Sequence, residues 1–479
     1  MSRQPVIGLE VHLQLKTATK IFCGCSTQFG AGPNSQVCVV CLGFPGVLPV
    51  LNKKVLDYGI RVALALGCSI QEKIVFHRKN YFYPDLPKGY QISQYDLPLG
   101  TGGAIEIAPG EKIRIMRAHL EEDAGKLVHK PEESASLVDF NRGGVPLLEI
   151  VSEADLKSPE QAHHYLKTLK NILEYLDVSD CDMEKGSLRC DANVSLTGPD
   201  GKWGKKVEIK NLNSFKGVSH ALTYEIQRQG RLLDAGETIT QETRLWDDLA
   251  GQTQPMRSKE DAHDYRYFPE PDLVPFSVSV AEIEKARKLL PELPAQRAQR
   301  FVEQYALPPV DAAVITAARA TADYYEDCVL KTVPDKRALF QKPLSNWILS
   351  DLAREMNERN IDSITAINFP PENLVELVAL IDSGKISGKM AKDVFVEALK
   401  NGQSPSAVVQ AKGLSQVTDP GAIRAAAETV IQENPKAVAD YKQGKPSALM
   451  FLVGQLMKRM KGAASPPVAQ AVFKELLDK

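Results

Sequence analysis

Four cysteines near the N-terminus are spaced like the ligands of a metal ion. Cys23 and Cys25 form a CxC pair, and Cys38 and Cys41 form a CxxC pair twelve residues further along. Thiolates at this spacing can close tetrahedrally around Zn²⁺, and four of them fill its coordination shell, so such a zinc would be structural. The alternative is four buried thiols without a metal. The remaining cysteines are scattered and are expected to be core thiols: Cys68, Cys181, Cys190 and Cys328.

Carboxylates and one imidazole recur in segments whose residues alternate like those of β-strands. Glu10 and His12 are two residues apart, so they share one face of a strand. Asp191 and Glu208 each have a polar partner two residues further on, at Asn193 and Lys210. Three segments thus place carboxylates where apolar side chains are expected. Carboxylates with an imidazole suit Mg²⁺, and we therefore expect a divalent-metal site.

A denser charged run occupies residues 116–126. It contains His119, Glu121 and Glu122 and ends in a Gly-Lys pair. The run either extends the metal site or forms a solvated acidic turn, and the residues alone leave both interpretations open.

Two further segments combine cations with turn-forming residues. Residues 77–91 carry Arg78, Lys79 and Lys88 among aromatic side chains, and Arg142 precedes a Gly-Gly pair. Both segments could hold phosphate by charge and by backbone N–H groups. Neither is a Walker A motif or a dinucleotide fingerprint, although aromatic residues between cations suit stacking on a nucleotide.

The chain lacks the motifs of covalent catalysis. There is no Ser-His-Asp order, no Gly-x-Ser-x-Gly elbow and no kinase motif set. The natural cysteine nucleophiles are committed to the predicted metal knuckle. The sequence therefore indicates an enzyme that polarises and phosphorylates its substrate, without a covalent nucleophile of its own.

The elements that must position these residues change character along the chain. Residues 6–15, 112–117 and 206–210 alternate as strands, and residues 158–176 form a predicted helix that begins Ser-Pro-Glu. Beyond about residue 290 the pattern becomes helical, with Leu374, Leu377, Val378 and Ile381 on one face. Residues 383–385 and 387–389 are predicted turns between short helices.

The predicted fold class is α+β, in three domains. A β-rich catalytic cradle with the zinc knuckle spans residues 1–292. An all-α helical domain follows at 293–411, and a small helical tail domain occupies 412–479. A chain of 479 residues is too long for one compact core, which favours this division.

Composition narrows the class of protein. The formal net charge of -2 does not point directly to nucleic acid, although a local basic patch would be enough. No apolar run approaches the roughly 20 residues of a membrane span, and the first residues lack the apolar stretch of a secretory signal. Eight cysteines in this length are not a disulfide scaffold. We expect a cytoplasmic protein with no membrane partner.

Taken together, long strings of this sequence resemble the GatB/GatE family, the B subunits of bacterial aspartyl/glutamyl-tRNA amidotransferases. The strings are residues 7–15, the cysteine motif with Leu-Gly-Phe-Pro-Gly at 42–46, and residues 78–95, 119–126, 141–151, 186–195, 208–215, 256–260 and 264–272. Residues 454–457 and 461–462 look like the family's mobile tail domain. One departure is Val39, where the family usually has proline within the CPxC motif.

The resemblance implies a carbon–nitrogen ligase that takes its amido nitrogen from glutamine. It would use ATP and Mg²⁺ to phosphorylate the side chain of Glu on tRNA(Gln) or Asp on tRNA(Asn), and ammonia would then displace phosphate. An amidase A subunit would supply ammonia through an internal channel, and a small C subunit would clasp the two in a heterotrimer. The implied fold is a β-rich cradle, a helical domain and a tail that holds tRNA.

Roles for individual residues follow from bringing two anions together, which requires metal and cations. As Mg²⁺ ligands we expect Glu10, His12, Glu122 and Glu208, with Asp191 and Glu121 as second choices. Arg78, Lys79, Arg142 and Lys210 are expected at the nucleotide. The residues expected to act in catalysis are Glu10, His12, Lys79, Lys88, Glu122 and Arg142. The region of Lys79, Lys88 and Glu122 is also a candidate for the ammonia path.

Cations in the tail predict where tRNA binds. They cluster around one predicted helix and comprise Lys442, Lys445, Lys458, Arg459 and Lys461. Interactions of such cations with the RNA backbone add salt-dependent affinity without reading bases. Without the resemblance, the alternative is a solvated helix face.

Two other classes of function compete. One is a zinc-dependent RNA-binding protein without catalysis, but Glu10, Glu122 and Asp191 would not suit an RNA-binding face. The other is a self-sufficient ligase that takes free ammonia. The absence of a glutaminase nucleophile fits both this interpretation and an ammonia-supplying partner.

Overall fold

The computed structural model describes residues 3–130, 135–258, 265–414, 420–460, 464 and 466–478. The chain divides into two compact units, Met1–Leu293 and Pro294–Lys479. The first unit contains the strands and four helices, and the second is helical. This arrangement confirms the predicted α+β class. No helix within these described ranges has the length and apolar character needed to cross a membrane.

All strands among the described residues lie in the first unit. They are β1 (Pro5–Gln14), β2 (Ser69–Ile70), β3 (His77–Asn80), β4 (Tyr90–Ser93), β5 (Gly100–Ala108), β6 (Glu111–Glu122), β7 (Lys126–Lys130), β8 (Ala135–Asp139), β9 (Pro146–Ser152), β10 (Leu188–Leu196), β11 (Val207–Leu212), β12 (Glu242–Asp247), β13 (Gln252–Ser258) and β14 (Phe268–Pro269). The three strands predicted from alternation correspond to β1, β6 and β11.

Helices occur in both units. They are α1 (Lys53–Ala65), α2 (Pro159–Leu176), α3 (Phe215–Asp234), α4 (Val280–Lys288), α5 (Pro294–Tyr305), α6 (Pro309–Thr316), α7 (Arg319–Lys331), α8 (Arg337–Trp347), α9 (Ala353–Glu358), α10 (Pro371–Asp382), α11 (Gly388–Asn401), α12 (Pro405–Ala411), α13 (Pro420–Glu433), α14 (Pro435–Lys442), α15 (Pro446–Arg459) and α16 (Pro466–Leu477). A π-helical segment, Ile348–Leu352, joins α8 to α9.

One nine-stranded sheet is the frame of the first unit. Its strand order is β13-β12-β11-β10-β1-β9-β6-β5-β2. Neighbouring strands are antiparallel except β11 and β12, which are parallel. A three-stranded sheet, β14-β3-β4, and the hairpin of β7 with β8 complete the strands.

The large sheet has one apolar and one polar face because its strands alternate. In β1 the apolar residues Ile7, Leu9, Val11 and Leu13 are fully buried in the main core, together with residues of α1, α2 and α3. Burying each such side chain stabilises the fold by roughly 1.5–3 kcal/mol. The polar residues between them necessarily point to the other face. The central strands therefore present their charged side chains together on one surface.

Local sequence explains why α2 begins where it does. The Ser158 hydroxyl accepts from the Gln161 N–H, and Pro159 occupies the first turn, where a missing N–H costs nothing. The helix predicted at residues 158–176 is confirmed. Its buried face includes Tyr165, Leu169 and Leu173, which pack in the core shared with the sheet.

The helical unit contains two separate apolar clusters. The first runs from Phe301 to Val408 and includes the predicted stripe of α10, whose Leu374, Leu377 and Val378 are buried. The second joins α13, α15 and α16. One local prediction is wrong: residues 387–389 are not a turn, because Ser387 caps the N-terminus of α11 by accepting from the Met390 N–H.

Candidate active site and metal centres

Strand register gathers charged residues on the polar face of the large sheet. Across β1 and β10, Glu10 lies opposite Asp191, and across β10 and β11, Asn193 lies opposite Glu208. On the other side of β1, His12 lies opposite Glu149 of β9. These pairings bring residues far apart in sequence onto one surface.

His12, Glu121 and Glu149 form a group that could hold a metal ion. One ligand atom from each lies within 4.8 Å of the others. The His12 Nε2 is 3.5 Å from Glu149 Oε2 and 3.8 Å from Glu121 Oε1, and both carboxylates are buried. One imidazole and two carboxylates are suitable ligands for Mg²⁺, with room left for water and phosphate oxygens.

A second imidazole supports the two carboxylates of this group. His119 lies opposite Glu149 on β6, is buried, and places its Nε2 3.2 Å from Glu149 Oε2 and 3.8 Å from Glu121 Oε2. Burial lowers the pKa of His119, but Glu149 and Glu121 outweigh it and the net shift is upward. A charged His119 would fix both carboxylates toward His12.

The same interactions set the protonation of His12. Burial opposes its charged form, yet Glu149, Glu121 and Asp191 raise the pKa of His12 to about 9. The pKa of Glu149 is well below its usual range despite burial, because His119 and His12 stabilise its charge. The two buried carboxylates therefore stabilise positive charge at His12, and a divalent cation can take over that role.

A neighbouring group on the same face surrounds a lysine. The Lys210 Nζ lies 2.6 Å from Asp191 Oδ2 and 3.5 Å from Glu208 Oε1. Burial would lower the pKa of Lys210, but Asp191, Glu208 and Glu10 raise it. The Thr243 hydroxyl donates to Glu208 Oε2 at 2.9 Å. Lys210 therefore pairs with Asp191 and Glu208, two of the carboxylates that were expected to bind Mg²⁺.

Glu122 lies outside the group of His12, Glu121 and Glu149, and its predicted role as a metal ligand stays a prediction. Consecutive strand residues point to opposite faces, so Glu121 and Glu122 cannot both face His12. The Glu122 carboxylate accepts from Lys88 Nζ and, at 2.8 Å, from the Ile92 N–H. Among the described residues, the group that contains His12 also excludes Glu10 and Glu208.

Glu149 was missed by sequence reasoning. It is a single acidic residue in the apolar strand Pro146–Ser152, whose other side chains are mostly aliphatic. A lone carboxylate in such a strand is costly to bury without partners. An acidic residue within an otherwise apolar strand is therefore the sequence feature that could have identified Glu149.

The predicted phosphate-binding cations differ in whether a carboxylate already pairs with their charge. Arg78 forms a two-bond pair with Glu270, at 2.7 and 2.9 Å, and lies 4.3 Å over the Tyr90 ring, so its charge is already matched. Lys79 lies 4.9 Å over the Tyr265 ring. Burial opposes the charge of Lys79, but Tyr267, Glu121 and other acidic neighbours raise its pKa.

Arg142 braces a turn of the backbone. Its Nε donates to the Ala124 carbonyl at 3.0 Å and its Nη2 to the Gly125 carbonyl at 2.6 Å. These bonds hold the segment that follows Glu121 and Glu122. Arg142 also lines the larger of two cavities described below. Its role at phosphate stays a prediction.

Two cavities adjoin these residues. The larger, of about 1160 Å³, extends from Phe29 to the polar face at Arg189 and Asp191 and includes Arg142. The smaller, of about 200 Å³, contains Lys88 and Glu122 and is bounded by the cysteine loop. The larger cavity has the volume for a substrate of nucleotide size. The smaller cavity has room only for a molecule of a few atoms.

The four predicted zinc ligands lie together. The Sγ atoms of Cys23, Cys25, Cys38 and Cys41 are within 4.8 Å of one another, and no disulfide joins them. Zinc–sulfur bonds of about 2.3 Å in a tetrahedron require sulfurs about 3.8 Å apart, so the cluster fits that metal. The Cys38 N–H donates to Cys41 Sγ at 3.1 Å. The other four cysteines are buried, as predicted.

The tail cations surround α15. Lys445 lies 2.7 Å from Asp440, and Arg459 lies 2.9 Å from Glu433, so both charges are matched within the tail. Lys442 and Lys458 are exposed. The predicted Lys461 lies outside the described residues.

Comparison with known proteins is consistent along the whole chain. Residues 5–284 match the GatB/GatE catalytic domain and residues 323–477 match the GatB domain. A protein of Caldanaerobacter subterraneus subsp. tengcongensis is 53% identical, with 100% of both chains covered. Proteins of Carboxydothermus hydrogenoformans and Persephonella marina are 53% and 52% identical, covering 99% and 100% of both chains. All three are named as the B subunit of aspartyl/glutamyl-tRNA(Asn/Gln) amidotransferase.

Proposed function

Because this chain belongs to the GatB/GatE family, we propose that it is the B subunit of a cytoplasmic glutamine-dependent tRNA amidotransferase. The subunit phosphorylates the side-chain carboxylate of Glu on tRNA(Gln), or of Asp on tRNA(Asn), with ATP. It then replaces phosphate by ammonia to give Gln-tRNA(Gln) or Asn-tRNA(Asn). The observation that carries this proposal is the joining of His12, Glu121 and Glu149 on a charged sheet face that also carries Lys210.

The chemistry explains why such a face is needed. A carboxylate is a poor electrophile, because attack by ammonia would have to expel an oxide. Phosphorylation turns that oxygen into a good leaving group, but it requires the γ-phosphate and the carboxylate to approach each other as two anions. The protein must therefore supply fixed positive charge where both meet, with little covalent work of its own.

The residues of the polar face suit that task. His12, Glu121 and Glu149 would hold Mg²⁺, with Glu10, Asp191 and Glu208 close by. When bound, the cation would neutralise phosphate oxygens. Lys79 and Lys210, whose pKa values are raised, stay charged. Lys79 would provide positive charge for phosphate, and Lys210 balances Asp191 and Glu208. We place the nucleotide in the larger cavity, which is lined by Arg142 and Arg189.

Ammonia would reach this face from another chain. The sequence has no glutaminase nucleophile set, so we propose an A subunit that hydrolyses glutamine and a C subunit that stabilises the pair. The smaller cavity, with Lys88 and Glu122, supports a polar path for a small hydrogen-bonding molecule. The free-ammonia ligase remains the competing function.

The cysteine cluster and the tail would serve the catalytic face. We propose that Cys23, Cys25, Cys38 and Cys41 hold a structural Zn²⁺, since they leave no coordination position for substrate. Exposed Lys442 and Lys458 support interactions of the tail with the tRNA backbone.

The test is transamidation of purified Glu-tRNA(Gln) and Asp-tRNA(Asn) by the full complex with ATP. We expect product with glutamine as donor, dependent on both ATP and Mg²⁺. A complex that binds these tRNAs but forms neither product would contradict the proposal. High activity of the isolated chain with ammonium chloride would favour the self-sufficient ligase instead.

A further inference from the structure

Lys20 is fully buried between the cysteine cluster and the Gly-Gly loop. Its Nζ lies 3.7 Å from Cys41 Sγ and 3.2 Å from the Phe140 carbonyl oxygen. Within the described ranges, no carboxylate lies at ion-pair distance from this ammonium group. Lysine is almost never fully buried unless its charge is paired, so the position of Lys20 requires an anion.

The cysteine cluster can provide that anion. Four neutral thiols would leave the Lys20 charge unmatched. Four thiolates around one Zn²⁺ carry a net charge of minus two, and one of those sulfurs is the atom that Lys20 approaches. An ammonium group beside such a centre neutralises part of its charge and donates a hydrogen bond to a ligand sulfur.

We propose that Lys20 is the counterion of the four-cysteine zinc site and fastens it to the loop at residues 140–144. Its ammonium group bridges Cys41 of the site and Phe140 of the loop. This inference rests on the structural zinc of the proposed function. It adds a positioning residue that belongs to neither the metal ligands nor the charged sheet face.

The hydrogen bonds around Lys20 lead from the zinc site to the catalytic strands. The Ile21 N–H donates to the Gly144 carbonyl at 3.0 Å, and the Gly144 N–H donates to the Asp123 carbonyl at 2.8 Å. Gly144 has a φ of +82°, and a Cβ there would lie 3.4 Å from Lys20 Cδ. Loss of zinc would therefore loosen the loop that carries Arg142, and with it the end of β6.

Zinc affinity of the purified chain, measured by competition with a chromogenic chelator, tests this inference. We expect Lys20→Met, which keeps the length of the side chain and removes its charge, to raise the zinc dissociation constant by about 10- to 100-fold. Lys20→Arg should recover most of the affinity because it restores the charge. Lys16→Met is the matched control, since Lys16 is half exposed and pairs with Asp177.

A second measurement uses the wild-type chain. Hydrogen exchange of the Gly143 and Gly144 amides should quicken when zinc is removed, more than exchange in α10 of the other unit. If the purified wild-type chain bound no zinc at all, that result would overturn the zinc assignment itself. Zinc bound equally tightly by wild type and Lys20→Met, or loop exchange indifferent to zinc, would overturn the role of Lys20 while leaving the zinc site intact.

Discussion

His12 and Glu149 face each other across β1 and β9, with His12 Nε2 3.5 Å from Glu149 Oε2. One residue stands near the N-terminus and the other in a largely aliphatic strand, and only the sheet register unites them. This pair, completed by Glu121, is the part of the polar face best suited to a hard divalent cation.

Replacing Glu149 should disable phosphorylation without unfolding the sheet. Glu149→Gln keeps the shape of the side chain but removes one charged ligand, so we expect transamidation by the complex to fall by at least about 100-fold. Part of the loss should be recovered at high Mg²⁺. Glutaminase activity of the A subunit should persist. Glu106→Gln, an exposed residue of β5, is the control. Unchanged Mg²⁺ dependence in Glu149→Gln would rule out the metal site.

Removing one zinc ligand should destabilise the first unit. Cys38→Ser is expected to lose bound zinc and lower the unfolding temperature, because binding of a structural metal is part of the folding free energy. Metal analysis and thermal unfolding measure the two effects. Cys68→Ala, in the same unit but outside the cluster, should keep full zinc. Equal zinc content in wild type and Cys38→Ser would refute the assignment.

Tail cations should contribute to tRNA affinity in a salt-dependent way. Within the described residues, Lys442 and Lys458 have no carboxylate partner, so they are available to phosphate. The double change to alanine should weaken tRNA binding and lower the slope of log affinity against log salt by about one for each phosphate that the tail no longer neutralises. Lys400→Ala in α11 is the control. An unaltered salt slope would assign these lysines to a solvated helix face.

Glu326 should make the helical unit sensitive to acid. Burial raises its pKa, but hydrogen bonds from Arg300, Arg297 and Tyr305 lower it from 4.5 to about 2. A depressed pKa stabilises the folded state above pH 4.5, and this contribution disappears as the pH falls toward 2. Its upper size is about 3 kcal/mol, at about 1.4 kcal/mol per pKa unit.

Hydrogen exchange of α5 and α7 measures this contribution. Glu326→Gln should reduce protection at pH 7, and its difference from wild type should shrink between pH 4.5 and pH 2. Glu303→Gln, whose side chain accepts from Gln299 on the surface, serves as the control. A constant difference across this pH range would show that the carboxylate charge contributes nothing.

Sequence reasoning succeeded where a residue's own neighbours determine its position. The alternation of β1 correctly put Glu10 and His12 on one polar face, and the spacing of the cysteines matched a compact cluster. Ser158 and Pro159 similarly located the start of α2. These are local relationships, decided by strand and helix periodicity.

The sequence alone could not determine which side chains meet where the register between distant strands sets their positions. Glu121 and Glu122 are adjacent, and nothing local tells which of them faces His12. The pairing of β6 with β9 decides it, and that pairing also brings in Glu149. The burial of Lys20 depends likewise on a loop 120 residues further along the chain.

The fate of oxygen tests the central claim most directly. Glu-tRNA(Gln) labelled with ¹⁸O in the side-chain carboxylate is incubated with the complex, ATP and glutamine, and the released phosphate is analysed by mass spectrometry. Because ammonia displaces phosphate from the acyl phosphate, we predict that each Gln-tRNA formed is accompanied by one phosphate that carries one ¹⁸O atom. The complex with Glu149→Gln should release almost no labelled phosphate. Gln-tRNA formed with unlabelled phosphate would contradict the account.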